Sequence, residues 1–221
     1  MLSILHSVKR QMHAIIFTYG QLKEPPMSPR KAGRQELTRD SIVYKARELF
    51  IEKGYQELSM RSIAKELECS HGAIYYHFKN KAALFHAIVD EGFFALNKRI
   101  EEILGEEQEQ DKQKQQRLML SFLEFGLNNQ SQYEMMFMQG RKGMGGLSRE
   151  AANHCYEQFT IAIQTHSKSL LKASAIMSAF ISLHGFISHY HGSVKGYEEV
   201  KNSAEDHVEF IIKGLENEAK F

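Results

Sequence analysis

Residues 59–81 read SMRSIAKELECSHGAIYYHFKNK, and this stretch sets the fold of the amino-terminal part of the chain. Ser59 is a candidate N-cap for a helix over residues 60–67, because a serine hydroxyl accepts a hydrogen bond from a free backbone N–H of the first turn. Ser70 caps a second, very short helix after a tight turn. Two short helices joined in this way predict a helix-turn-helix over residues 59–78.

Further helices are predicted on both sides of this motif. Thr38 and Asp40 are candidate N-caps for a helix whose apolar residues recur at helical spacing as far as Lys53. Gly54 then fits the left-handed position that ends many helices. Asn80 caps a fourth helix. The sequence therefore predicts a three-helix head that continues directly into a long helix.

The second helix of the motif has an unusual surface chemistry. Residues 71–78 read HGAIYYHF, which places two tyrosines and two histidines around only two obvious core residues. One interpretation makes these tyrosines ordinary, partly buried side chains with a solvated hydroxyl. Gly72 and Ala73 favour another, because small residues let a helix approach a surface closely. Hydroxyls, imidazoles and the ammonium groups of Lys79 and Lys81 suit phosphate oxygens, so the pattern favours binding to DNA.

The head resembles the DNA-binding domain of the TetR family of repressors over roughly residues 36–96. The matching residues stand at many fixed offsets: Gly54-Tyr55, Leu58-Ser59, Ile63-Ala64, Ala73-Ile74-Tyr75-Tyr76-His77-Phe78-Lys79-Asn80-Lys81 and Leu84. The resemblance implies a sequence-specific transcriptional regulator that binds double-stranded DNA at a palindromic operator. Phosphate contacts are implied for Ser59, Tyr75, Tyr76, His77 and Lys81. Base-edge contacts are implied for Arg61 and His71, with close approach at Gly72 and Ala73.

Two residues of the turn depart from the family pattern. Cys69 stands where the family usually has valine, and Glu68 where glycine is common. The turn requires a positive φ, which a glutamate adopts less easily than a glycine. We expect this departure to strain the turn without changing the fold.

The charges are distributed unevenly along the chain. Residues 27–81 carry 11 Lys and Arg against 7 Asp and Glu, whereas residues 82–221 carry 14 against 19. A basic head on an acidic remainder suits a protein that meets a polyanion at one end. The chain has only two cysteines, and no apolar run approaches the roughly 20 residues that cross a bilayer. We expect a soluble, cytoplasmic protein with no membrane partner.

The first residues of the chain fit neither the head nor the body. Residues 1–35 lack the sustained apolar stretch of a signal peptide and are expected to form a flexible extension. A second interpretation makes Met27 the true first residue, because Lys23-Glu24 can be encoded by AAG-GAG, a ribosome-binding sequence at a normal distance from that codon. Residues 1–26 would then be a misassigned start, and this second interpretation is favoured.

Beyond the head, helical spacing of apolar residues predicts an all-α body over residues 97–221 that binds an effector and mediates dimerisation. The long helix runs to about residue 104, and the polar stretch 105–116 is interpreted as a solvated loop or an exposed helix end. Residues 141–146 form a connector. Further helices are predicted over residues 117–130, 132–139, 148–167, 169–191 and 198–215.

The last two predicted helices carry broad apolar stripes. One comprises Ala173, Met177, Phe180, Ile181, His184, Ile187 and His191, and the other Val200, Ala204, Val208, Ile211 and Leu215. Such stripes are either intramolecular core or a pairing surface. Resemblance to the TetR family implies a four-helix interface across a two-fold axis, so we expect a homodimer.

The resemblance also implies an effector cavity in the body. Segments 118–138 and 180–186 are similar to an effector domain of this family in which Phe180 takes the place of a signature tryptophan. The expected lining comprises Phe122, Phe125, Tyr133, Met136, Phe137, Phe159, Phe180 and His184. Methionine and phenylalanine at helical spacing are also ordinary core residues, which is the alternative interpretation. We expect a small apolar ligand to release a repressor from its operator.

Two other functions fit the sequence less well. The 11 histidines suggest a metal-responsive sensor as an alternative, but His184 and His191 lie two helical turns apart, ~10.5 Å, and His189 points elsewhere. We therefore assign no metal site. An enzyme would need a nucleophile elbow, a P-loop, an HExxH motif or a dinucleotide fingerprint, and the sequence contains none of them. We assign no catalytic residue and no cofactor.

Overall fold

The head is built from three helices whose boundaries follow the caps in the sequence. The computed structural model describes residues 37–106, 110–138 and 147–218, and every element named below lies within these ranges. Helix α1 spans Arg39–Glu57, α2 spans Met60–Glu66 and α3 spans His71–His77. The predicted extension 1–35 and the predicted connector 141–146 lie outside the described residues.

Each helix of the head begins at a predicted N-cap. The hydroxyls of Thr38, Ser59 and Ser70 each accept a hydrogen bond from the backbone N–H three residues later, at 3.1 Å. A cap of this kind stabilises its helix by about 1 kcal/mol. Gly54 has a φ of 78°, which confirms the predicted left-handed position, although one more helical turn follows it as far as Glu57.

Helix α4, Lys81–Gly105, runs through both the head and the body. Asn80 caps it as predicted, with its side-chain oxygen 2.8 Å from a backbone nitrogen of the first turn. Within the head, the ring of Phe85 lies 5.6 Å from that of Phe50. Two turns later, Phe93 contacts an aromatic ring of the body. One helix therefore carries contacts of both parts.

The body is formed by further helices, and no strand occurs in the described ranges, which confirms the all-α prediction. Its elements are α5 at Asp111–Asn128, α6 at Gln130–Tyr133 followed by a π-helical stretch at Glu134–Met138, α7 at Leu147–Thr165, α8 at Ala173–Tyr190, a short 3-10 helix at Tyr197–Val200 and α9 at Lys201–Glu218. Helix α4 packs on α5 and α7, and α5 packs on α8 and α9. One continuous apolar core extends from Ile42 in the head to Leu215 in α9.

The beginning of α5 differs from the prediction. The expectation of a solvated segment over 105–116 is wrong at its carboxyl end, because Lys114 and Gln115 are only 7% and 6% exposed. The amide of Gln115 donates to the carbonyl of Ile163 at 3.1 Å and to the hydroxyl of Ser167 at 2.8 Å. A polar side chain is buried without penalty when its hydrogen bonds are satisfied. These partners lie far away in the sequence, so no local pattern reveals them.

Two other boundaries of the body also differ from the prediction. The stretch 132–139 is not a simple α-helix, because α6 ends at Tyr133 and the next five residues are π-helical. Helix α8 begins at Ala173 and not near residue 169, and Leu170 ahead of it is 87% exposed. Apolar spacing places a helix more reliably than it places the ends, which depend on tertiary contacts.

Candidate DNA-binding face and effector core

Helix α3 presents a polar and aromatic side to solvent. Ile74 and Phe78 are 0% and 3% exposed and hold the helix on the head. On other sides of the helix, Tyr75 is 44% exposed, Tyr76 is 86% exposed, and His71 is exposed as well. Exposure of two large aromatic side chains on a seven-residue helix is informative, because such groups are usually part of a core or an interface.

Neighbouring rings on α3 contact one another. The ring of His71 lies 4.7 Å from that of Tyr75, and the ring of Tyr76 lies 5.1 Å from that of His77, both edge to face. Edge-to-face packing of this kind restricts the rotamers that each ring adopts. The four predicted contact side chains of α3 are thus placed together on one short helix.

The first turns of α2 and α3 complete the candidate DNA-binding face. Gly72 is exposed and Ala73 is half-buried, so the backbone at the start of α3 is open to close approach. Arg61 is exposed in the first turn of α2. Ser59 is also exposed, but its hydroxyl caps α2 and lies 3.2 Å from the hydroxyl of Ser62.

Lys81 has structural partners that the sequence did not reveal. Its ammonium group donates to the carbonyl of Tyr55 at 2.8 Å and to the carbonyl of Leu58 at 2.9 Å. The same group lies 4.2 Å from the centre of the Tyr55 ring, a cation–π contact. Lys81 therefore links the end of α1 to the start of α4 by hydrogen bonds. An ammonium group has three donors, and the implied phosphate contact of Lys81 stays a prediction.

The turn between α2 and α3 depends on a left-handed residue. Glu68 has a φ of 50° and is the one described residue other than glycine with a positive φ. This confirms that the turn requires a positive φ at the position where glutamate replaces glycine. The backbone N–H of Cys69 donates to the carbonyl of Ala64 at 3.0 Å and closes the turn. A non-glycine residue in this conformation is strained by about 1 kcal/mol.

Comparison with known proteins agrees with this head. Residues 42–88 match the family model described as bacterial regulatory proteins, tetR family. The transcriptional regulator UidR from Escherichia coli (strain K12) is 44% identical over 52 residues, which cover 24% of this chain and 26% of UidR. The head is thus similar to the TetR family over residues 42–88. The negative transcriptional regulator IcaR from Staphylococcus aureus (strain Newman) is 27% identical over 134 residues, which cover 61% of this chain and 68% of IcaR.

Similarity to solved structures extends beyond the head into the body. The crystal structure of the transcriptional regulator FadR from Bacillus subtilis, in complex with stearoyl-CoA, matches with a TM-score of 0.63 at 19% identity. The match covers 80% of this chain and 100% of that one. Similarity at this level of identity concerns the fold. It shows that the described helices of the body share the all-helical fold of that structure.

The residues predicted to line an effector cavity form an aromatic core in the body. Six of the eight are buried, whereas Phe137 and His184 are half-buried. Phe122 lies at the centre, with its ring 5.3–6.3 Å from five other rings. We call this set the aromatic core: Phe122, Tyr133, Phe137, Phe159, Phe180 and His184. Phe125 and Met136, the other two predicted residues, are 4% and 2% exposed.

Polar atoms inside the aromatic core are uncharged near neutral pH. The hydroxyl of Tyr133 is in hydrogen-bonding contact with Nδ1 of His184. Burial lowers the pKa of His184 to about 4 and raises the pKa of Tyr133 well above its usual value. Burial also raises the pKa of the nearby Cys155 thiol to about 12. In each case desolvation disfavours the charged form.

The π-helical stretch connects the aromatic core to α4. Met136 in this stretch packs directly on Gly92 of α4, where an added Cβ would lie only 2.5 Å from the methionine sulfur. Phe137 in the same stretch lies 5.1 Å from Phe93 of α4. These two contacts join the aromatic core to the helix that carries the head.

The outer side of α8 and α9 corrects one prediction and refines another. The stripe of Val200, Ala204, Val208, Ile211 and Leu215 is buried within its own chain, because it faces the core formed by α5 and α8. Exposed apolar side chains on these helices are Met177 at 39%, Ile181 at 60% and Phe210 at 74%. Beside Phe210 lies a groove of about 400 Å³ between the two helices, lined by Ser174, Ser178 and Ser182 among others.

A second groove, of about 340 Å³, lies between α4 and α5. Its walls carry charged side chains that pair across it. Arg99 lies 3.4 Å from Glu124, and Arg117 lies 2.5 Å from Glu106. This groove is polar and separate from the aromatic core.

Metal ligation was the alternative raised by the histidines. In the part of the chain that the structure describes, no group of three or more His, Cys, Asp or Glu side chains lies close enough to hold a metal ion. Among the described helices, none is long and apolar enough to cross a membrane.

Proposed function

We propose that this chain is a homodimeric transcriptional repressor of the TetR family that binds a palindromic DNA operator and releases it when a small apolar ligand binds the body. The observation that carries the proposal is the exposed aromatic and imidazole side of α3, on a helix-turn-helix whose caps and turn are all formed. The relatives support a role in transcription, because UidR is a transcriptional regulator and IcaR a negative one.

In this proposal the head divides its contacts into two kinds. Arg61 and His71 read base edges in this proposal. His71 lies at the start of α3, the helix that enters the major groove, and Arg61 is exposed in the first turn of α2. Close approach at Gly72 and Ala73 admits α3 into the groove. The remaining predicted residues contact phosphates and position the head: Ser59, Tyr75, Tyr76, His77 and Lys81.

Dimerisation is proposed through the outer side of α8 and α9. Met177, Ile181 and Phe210 expose apolar surface there, beside a groove large enough to receive a side chain of a second copy. Pairing of two copies across a two-fold axis would set the two α3 helices about one DNA turn apart, ~34–36 Å. A palindromic operator follows from this symmetry.

Release by a ligand is proposed to act through α4. Phe137 of the aromatic core contacts Phe93 of α4, and Met136 of the same π-helical stretch packs on Gly92. Helix α4 continues into the head. A ligand that enlarges the aromatic core would displace Met136 or Phe137 and shift α4, which changes the spacing of the two heads. The ligand must bind the released state more tightly than the DNA-binding state, since equal affinity shifts nothing.

Selection of duplexes from a random DNA pool tests this function with no operator sequence assumed. Purified full-length protein should enrich a palindrome whose half-sites lie about one helical turn apart. Affinity for the enriched duplex should fall steeply with salt, as for any protein that neutralises several phosphates. Enrichment of no sequence, or of a single unpaired half-site, would contradict the proposal.

The dimer is tested separately with a charged substitution at the outer side of α8 and α9. Phe210→Glu should give a folded monomer in sedimentation velocity, with operator affinity lowered by at least about a hundredfold, because one half-site holds only half of the contacts. Lys201→Glu, at an exposed position on the opposite side of the same helix, controls for the added negative charge and should stay dimeric. A dimeric Phe210→Glu protein would contradict this interface.

A further inference from the structure

The aromatic core contains hydrogen-bonding groups but no charge. Its rings surround the Tyr133–His184 contact, and the uncharged thiol of Cys155 lies near them. Glu134, the carboxylate next in sequence, is half-buried and has its Oε2 3.7 Å from Nε2 of His191. The environment that a ligand would meet is therefore apolar, aromatic and uncharged.

We propose that the aromatic core binds an uncharged aromatic ligand that carries one hydrogen-bonding group, and that the Tyr133 hydroxyl and His184 Nδ1 together receive that group. This inference rests on the proposed function, since it names the class of ligand that would release the operator. It also goes beyond that function, because an apolar ligand could equally be aliphatic or carry a charge at one end.

Ring geometry favours an aromatic ligand over an aliphatic one. The core contains both ring faces and ring edges, because the plane of the Phe122 ring is nearly perpendicular to those of Tyr133 and His184, at 83° each. Phe180 meets His184 in the same manner, at 82° and 4.4 Å. A planar ring inserted among them finds both the negative faces and the positive edges that aromatic pairs require. A saturated ring of equal size gains only the apolar contact.

Desolvation disfavours a charged ligand in this core. A buried carboxylate needs an opposite charge or several donors, and a buried ammonium group needs an opposite charge, several acceptors or open ring faces. The transfer of either group from water is otherwise very costly. The core provides one hydroxyl and one imidazole, with His184 held neutral by burial. Arginines that could hold an anion, Arg99 and Arg117, line the separate groove and are already paired with glutamates.

Access to the core lies at its two half-buried members. Phe137 and His184 are in contact at 4.7 Å and are the rings that retain solvent exposure. Phe137 belongs to the π-helical stretch, and such stretches recur at functional sites because they re-aim side chains within a helix. Rotation of Phe137 would open the core beside the Tyr133 hydroxyl. The polar group of the ligand then replaces the Tyr133–His184 contact with contacts of its own.

Probes built on the same ring system test separately how the charge and the shape of a ligand affect its binding. Naphthol is neutral and carries one hydroxyl, naphthalene lacks it, naphthoate is an anion and naphthylmethyl-trimethylammonium is a cation. The chain contains no tryptophan, so naphthol emission can be followed without that background. Naphthol should bind at least about tenfold more tightly than the anion, the cation or fully saturated decahydronaphthol. Equal or tighter binding of any of these three would overturn the proposal.

Tyr133→Phe tests the hydrogen-bonding group while it keeps the ring. Affinity for naphthol should fall about tenfold and affinity for naphthalene should change less than about twofold, since one hydrogen bond is removed. Tyr156→Phe is the matched control, because Tyr156 packs on Phe180 at the edge of the core and should leave both affinities unchanged. Equal loss for both probes in Tyr133→Phe would mean a purely structural hydroxyl and would overturn the assignment.

Binding of DNA distinguishes failure of this inference from failure of the proposed function. If the protein binds its selected operator but none of the naphthalene probes, the proposed ligand class is wrong and the proposed function as a DNA-binding regulator is supported. If naphthol binds as expected but no duplex is selected, the proposed ligand site is supported and the proposed function is contradicted. If both bind, naphthol should weaken operator binding in the wild type and not in Tyr133→Phe at the same concentration.

Discussion

The head and the body of this chain place aromatic side chains in opposite environments. Tyr76 of α3 leaves 86% of its surface exposed, whereas Tyr133 of the body is fully buried against Phe122 and His184. Both residues carry the same hydroxyl. On the head that hydroxyl faces solvent and is available to an external partner, and in the body it contacts a histidine of the same chain. Environment, and not residue type, therefore separates a contact surface from a core.

The largest expected effect is a difference in stability between two variants, one that removes an aromatic ring from the body and one that removes a ring from the head. Phe122→Ala should lower the free energy of unfolding by about 3–5 kcal/mol, because it removes the central ring of the aromatic core. Tyr76→Ala should change it by less than about 0.5 kcal/mol and yet weaken DNA binding, because its ring contacts little of its own chain. Urea denaturation and operator titration measure the two quantities. Comparable loss of stability in both variants would contradict the contrast between head and body.

A change of pH should affect the body through His184. Burial lowers the folded-state pKa of His184 to about 4, below the usual 6.5, so the unfolded chain binds more protons between these values. The stability contributed by neutral His184 is thus present above pH 6.5 and lost as the pH falls toward 4. We expect about 2 kcal/mol less stability at pH 5 than at pH 7 from this residue.

The control for this pH effect is His184→Asn, which keeps a hydrogen-bond acceptor near the Tyr133 hydroxyl. Urea unfolding of both proteins at the two pH values isolates the histidine, since all other titrating groups are shared. The variant should lose about 2 kcal/mol less than the wild type over this interval. An identical pH dependence would show that His184 is charged or solvated in the folded protein.

Within the head, variants of residues that read bases should behave differently from variants of residues that contact phosphates. Arg61→Ala should relax the preference at one base pair of each half-site, where a bidentate arginine–guanine contact contributes about 1–3 kcal/mol of discrimination. Tyr75→Phe should weaken binding by about 1 kcal/mol on every sequence, because a phosphate contact carries no base information. Titration of all single-base operator variants distinguishes them. Uniform weakening by Arg61→Ala would exclude its role in base reading.

The smallest expected effect concerns the turn of the head. Glu68→Gly should raise the free energy of unfolding by about 0.5–1 kcal/mol, because glycine adopts the positive φ of this position without strain. Gly54→Ala is the matched opposite: it introduces a side chain at a φ of 78° and should be destabilising by about 1 kcal/mol, although the space around it is open. If Glu68→Gly is destabilising, an interaction of the glutamate outweighs its backbone strain.

Local signals made the head predictable. The hydroxyls of Ser59 and Ser70, the amide of Asn80 and the glycine at position 54 act on backbone groups within a few residues, so their effect can be read without the tertiary fold. The positive φ at Glu68 was implied only by the resemblance to the TetR family, in which glycine is common at this position. The body lacks such signals at several boundaries. The start of α5 depends on the contact of Gln115 with α7, and its partners lie about fifty residues away.

Apolar spacing in the body identified helices and many buried residues but not their partners. It could not tell that the stripe through Val208 and Leu215 faces its own core while Phe210 faces outward, because both fit one amphipathic helix. It also missed that the two hydrogen bonds of Lys81 fasten α1 to α4. Long-range hydrogen bonds and packing choices arise only when distant segments meet.

The helical class, the caps of the head and the chemistry displayed by α3 follow from the amino-acid sequence alone, since each depends on residues within one or two turns of each other. Which rings of the body meet follows only from the tertiary fold. The fold placed Tyr133 against His184, Met136 against Gly92, and the aromatic core away from the charged groove between α4 and α5. The physical reason is that burial and pKa depend on what surrounds a side chain, and those surroundings come from distant parts of the chain.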